Sequence, residues 1–161
     1  MERHHIRRGD RELTEATDVE GVLRRGRFAA VAMCHKGEPY VVTLSYGYDA
    51  AERALYFHVA PEGRKLDAIA GDPRVCATVV IDGGYERGAC EHHYESVVIT
   101  GTMRLVDSDG ERRHGMRVLL NHLEDDPEPL WERHCLDGDE VYRRMSVARL
   151  DIGEITGKAG S

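Results

Sequence analysis

Residues 39–67 read PYVVTLSYGYDAAERALYFHVAPEGRKLD, and this stretch decides the fold. Tyr40, Val42, Leu44 and Tyr46 share one face of an extended chain, with Val41, Thr43 and Ser45 on the other. Leu55, Phe57 and Val59 alternate in the same way against Tyr56 and His58. Period-two runs of β-branched and aromatic residues predict half-buried strands. The short polar segment 49–53 suits an antiparallel hairpin between them. After His58 the period lengthens. Leu66, Ile69 and Ala70 sit at helical spacing, and Gly71-Asp72-Pro73 stops the helix.

The start of that helix carries Arg64 and Lys65. Cations there oppose the helix dipole by about 0.3–1 kcal/mol each. The free N–H groups of a first turn attract anions. A phosphate reconciles the two, because it accepts from the N–H groups and pairs with both side chains. The competing reading solvates both side chains, or pairs Arg64 with Asp67.

Working outward, residues 27–34, 74–82, 94–107 and 141–152 also read as strands, which makes six. Gly101 inside the longest predicts a bulge or bend. Thr17 and Glu20 match a capping box for a short first helix, and Ser108 or Asp109 can cap a helix carrying Met116, Leu119, Leu120 and Leu123. A helical turn holds Trp131, residues 83–90 form a polar loop, and residues 153–161 form a tail. Hairpin-like neighbours without strand-helix-strand alternation argue for an α+β fold: a six-stranded antiparallel barrel with peripheral helices, in one domain over residues 1–161.

Bulk properties exclude several functions. A net charge of −7 disfavours a nucleic-acid or anionic-membrane partner. No apolar run approaches the roughly 20 residues of a membrane span. The charged N-terminus lacks a signal-peptide core, so a cytoplasmic location is expected. Cys34, Cys76, Cys90 and Cys135 form no C-x-x-C and are expected reduced, with Cys76 packed in the core. Adjacent His92 and His93 point to opposite faces of a strand, so they do not share a metal ion. Ser45 and Ser96 lack a G-x-S-x-G setting. Neither common nucleotide-binding glycine loop is present. His58 ends its strand just before the basic pair, where an imidazole can serve a ligand or a reacting group.

LYFHVAPEGRKLDAI, DPRVCATVVID, HHYESVVITGTMRLVD and VARLDIGEITGK together resemble the FMN-binding split-barrel proteins, and among them the pyridoxamine 5′-phosphate oxidase-related branch that includes the nitroimidazole-resistance (Nim) flavoproteins. The resemblance runs from about residue 8 to 158. It implies a homodimer of six-stranded split barrels with two FMN molecules at the interface. Arg64 and Lys65 match the pair holding the FMN phosphate. Val42, Thr43, Leu44 and Ser45 match the strand beside the isoalloxazine ring, and Phe57 and His58 match contacts from the next strand. Ser96 matches a serine reaching the flavin from the other subunit. The implied activity is oxidoreduction of a small acceptor, a nitroaromatic or a quinone, with NAD(P)H as a candidate donor and His58 as a proton donor. The alternative is a non-catalytic flavin or heme binder, with His58, His92 or His93 as axial ligand. The chain ends GKAGS and lacks the arginine-rich C-terminal motif of the pyridoxamine phosphate oxidases, which speaks against vitamin B6 oxidation.

Overall fold

The computed structural model describes residues 6–160. A 3-10 turn at Gly9–Arg11 leads into β1 (Glu12–Leu13) and α1 (Ala16–Arg25). β2 (Phe28–His35), β3 (Glu38–Ser45), β4 (Gly47–Asp49) and β5 (Ala54–Val59) follow, then α2 (Arg64–Gly71). Two long strands, β6 (Arg74–Glu86) and β7 (Glu91–Leu105), precede α3 (Asp109–Leu123), α4 (Glu128–Arg133) and α5 (Asp139–Tyr142). β8 (Ser146–Gly160) closes the chain.

The sheet therefore has eight strands rather than six, ordered β3-β2-β6-β7-β8-β5-β4, with β1 added on β8. All pairings are antiparallel. The two additions are short segments that carry no alternation of their own. Tyr46 alone separates β3 from β4. One bent strand thus pairs with β2 along its first part and with β5 along its last, which brings the sheet round on itself. β3 and β5 approach each other without forming a ladder, so the barrel has a seam there.

The interior is apolar. Val31, Leu55, Phe57, Val79, Val97, Ile99, Met103 and Leu150 are all buried inside the barrel. A second cluster lies outside it, where Ala54, Tyr56 and Val147 meet Met116 and Leu119 of α3 together with Trp131 and Tyr142. β5 is thus covered on both faces along most of its length, which is why its burial is nearly continuous.

Gly101 marks a register shift between β7 and β8. A Cβ there would stand 2.1 Å from the Asp151 carbonyl oxygen, so only glycine lets the strands approach. Ser108 caps α3 by accepting from the Glu111 N–H, as expected. α1 instead begins at Ala16 with Glu15 before it and no side-chain cap, so Thr17 and Glu20 form no capping box. Residues 83–90 belong mostly to a β6–β7 ribbon, and the expected tail is the paired second half of β8. Cys76 is exposed, not packed in the core.

Candidate functional site: a basic helix start beside an open strand

α2 starts at Gly63, whose φ of +128° is open to glycine and strained for other residues. A Cβ there would meet nothing within 4 Å, so the approach to the helix start is unobstructed. The Leu66 and Asp67 N–H groups both donate to the Gly63 carbonyl, at 2.9 and 3.3 Å. The Arg64 and Lys65 N–H groups have no backbone acceptor among the described residues.

The side chains at this end are also uncommitted. Arg64 is exposed and Lys65 half-buried, and neither forms an ion pair within the described residues. The expected alternative partner, Asp67, does not take Arg64. Instead the Arg64 guanidinium lies over the Tyr40 ring, 4.5 Å from its centroid. Tyr40 is half-buried and packs against the barrel core, so it makes a firm shelf for the cation. Sequence reading missed this role. Its signal is an aromatic at the start of the strand that flanks the helix.

β3 runs away from this point. Val42 and Leu44 turn inward and pack against the core, so only their backbone can line a site. Thr43 and Ser45 face outward and are exposed. Carrying the Gly47–Tyr56 register two residues further sets Ser45 across the seam from His58. The six residues from Tyr40 to Ser45 span about 17 Å. A lane of that length therefore has two cations at one end and a hydroxyl and an imidazole at the other.

Phe57 does not join the lane with its side chain. It is fully buried inside the barrel. Strand parity sends Phe57 inward wherever His58 points outward, which leaves its backbone for any contact along the lane. His58 is exposed past the edge of the α3 layer. Enough protein still crowds the ring that desolvation holds its pKa below the ordinary histidine value. The imidazole is therefore neutral at pH 7.

Ser96 lies elsewhere in the same chain. It pairs with Val80 on β6 and Lys158 on β8, while Ser45 pairs with Phe28 on β2. Three strand spacings separate Ser45 from Ser96, roughly 14 Å. The two serines cannot touch one small group from a single copy of the chain. Phe28 and Val80 lie directly between them at 60% and 56% exposed, and Val41 and Val98 stand elsewhere on the same outer face at 63% and 43%.

The two histidines of the β6–β7 ribbon are engaged, His92 with Asp82 at 2.9 Å and His93 with Glu86 at 3.3 Å. No group of three or more metal-ligating side chains occurs among the described residues. None of the described helices is long and apolar enough to cross a membrane.

Residues 15–159 match the family model described as pyridoxamine 5′-phosphate oxidase. The chain belongs to that family. A curated relative, an uncharacterised protein of Rhizobium meliloti (strain 1021), is 26% identical over 148 residues, covering 88% of this chain and 90% of the relative. Among solved structures, a candidate 5-nitroimidazole antibiotic resistance protein from Bacteroides thetaiotaomicron superposes with a TM-score of 0.77 at 22% identity, over 92% of this chain and 86% of that one. The flavocytochrome Anf3 from Azotobacter vinelandii gives 0.79 at 22% identity, over 100% and 75%. An FAD-binding protein from Mesorhizobium loti gives 0.65 at 25% identity, over 91% and 96%. Solved structures on this fold thus include a flavocytochrome and a protein described as FAD-binding. Paired N–H donors and two uncommitted cations suit a phosphate ester, and the exposed strand edge suits a flat ring.

Proposed function

We propose that the protein binds FMN and acts as a cytoplasmic, homodimeric oxidoreductase that passes hydride or electrons from a nicotinamide donor to a small acceptor such as a nitroaromatic or a quinone. One observation carries the reading. Two cations stand at a helix start with no ion pair among the described residues, one of them on an aromatic shelf, beside two N–H groups with no backbone acceptor there. That arrangement costs stability by itself and repays it only when an anion arrives.

Bound FMN would supply the hydride and electron chemistry. Arg64, Lys65 and their N–H groups would hold its phosphate. The β3 backbone, with the outward Thr43 and Ser45, would lie along the ring. His58, neutral at pH 7, gives an N–H hydrogen bond to a ring or acceptor oxygen and takes up an extra proton only below its lowered pKa. The lane is open on its solvent side, and a second copy of the chain would wall it. Two features support a dimer: the exposed apolar residues Phe28, Val41, Val80 and Val98, and the roughly 14 Å that keeps Ser96 from its own lane.

The test is direct. The purified protein is denatured and the released small molecule is identified by mass spectrometry. FMN, released at about one per chain, supports the reading. FAD or heme as the released species, or failure of the emptied protein to take up added FMN, overturns it.

A further inference from the structure

β5 has a second end. Its six residues, Ala54–Val59, put about 20 Å between α2 and the β4–β5 turn. At that turn lies a hollow of about 550 Å³, bounded by β1, α1 and β8. Ligand pockets fall in the range of about 300–1,000 Å³. Leu13, Val19, Leu23, Tyr48, Ile152 and Ile155 line it, and all but Leu23 are only half-buried. Apolar surface is therefore gathered there only partly covered, and Thr14, Thr156 and the charged rim add a polar share to the lining.

The rim is charged, and its charges are unequal. Glu20 is engaged by Arg24, whose Nε donates to it at 2.9 Å, and Arg24 also lies 5.7 Å from the centre of the Tyr48 ring. Arg53 has no carboxylate or other acceptor among the described residues, yet it lines the same hollow. Its φ is +50°, a left-handed conformation that an arginine adopts at a cost of about 1 kcal/mol and a glycine would adopt freely. An exposed arginine is thus kept at a strained turn position on the rim of the hollow, with no acceptor for its side chain among the described residues. Glu12 stands on the outer lip, exposed.

We infer that this hollow is a second ligand site, separate from the α2 lane, and that it takes a small amphipathic monoanion: apolar body on Leu13, Val19 and Ile155, carboxylate-like head on Arg53. The inference does not depend on the identity of any flavin.

The probe is 8-anilino-1-naphthalenesulfonate, whose fluorescence rises in apolar surroundings, set beside its neutral analogue N-phenyl-1-naphthylamine. Titrations are run with and without excess FMN. The wild-type protein should bind the sulfonate whether or not FMN is present. Arg53→Gly relieves the turn, so its melting temperature should hold or rise, while its sulfonate affinity falls about tenfold or more, the loss of one charged hydrogen bond. Its affinity for the neutral analogue should not change. Val19→Trp fills the hollow and should remove both probes. Displacement of the sulfonate by FMN, equal sulfonate binding by Arg53→Gly, or no fluorescence rise with wild type each overturns the inference.

Discussion

Replacing Arg64 and Lys65 together by alanine should weaken binding far more than it changes folding. In the proposed role each side chain would give one charged hydrogen bond to the phosphate, worth about 1.5–3 kcal/mol. Arg64 is exposed and Lys65 only half-buried, so the lower figure applies to each. The pair then contributes about 3 kcal/mol, and at 1.4 kcal/mol per decade the FMN dissociation constant rises about 100-fold. Riboflavin, which lacks the phosphate, should bind both proteins alike. Stability moves less. Removing two cations from a helix start returns about 0.3–1 kcal/mol each, while loss of the Arg64–Tyr40 contact costs about 0.5–1 kcal/mol. The net change is between about −0.4 and about +1.5 kcal/mol, and the melting temperature of the flavin-free protein should move by between about −2 and about +6 °C. Fluorescence titration with both flavins and thermal denaturation of the emptied protein provide the numbers. FMN affinity within threefold of wild type, or a melting temperature several degrees lower, would refute the phosphate assignment.

Other consequences are simpler to state. Phe57→Leu should lower stability by about 1–2 kcal/mol through imperfect filling of the barrel, seen as a shifted urea midpoint, and leave flavin affinity unchanged; a large affinity loss in the folded variant would return the ring to the site. His122 is packed beside Tyr46, and its Nε2 lies 2.7 Å from the Gly26 carbonyl oxygen. Burial leads the effects that lower its pKa. The unfolded chain therefore binds the extra proton first, so His122's share of stability is present above about pH 6.5 and is lost as pH falls through its folded pKa. His122→Phe should flatten that acid slope in urea midpoints taken at pH 7.5 and 5.5, and an unchanged slope would show that other groups set it. Phe28→Asp with Val98→Asp should give monomers by light scattering; a dimer surviving both changes would move the interface off this face.

Much of this was legible in advance because it is local. Alternation in β3 and β5, the change of period at α2, the Ser108 cap and the Gly101 irregularity all follow from neighbours within a few residues. The failures share a cause of the opposite kind. Residues 153–160 are rich in glycine and carry little alternation, yet β7 pairs with residues 154–160. RVCATVVID reads as an apolar strand, which suggests a core place for Cys76, yet Cys76 shares its outward face with Arg74, Thr78, the exposed Val80 and Asp82. Tyr40 could not be tied to Arg64 because 24 residues and a whole hairpin lie between them.

The missing ladder between β3 and β5 gives the barrel one line along which side chains alone hold the wall shut. Such a line breathes before the doubly bonded strands do, since opening it breaks no backbone pairs. It also runs past Thr43, Ser45 and His58. A guest settling there would act as a clasp, and amide protons of β3 should slow their exchange with solvent while those of β7, already bonded on both sides, would hardly notice.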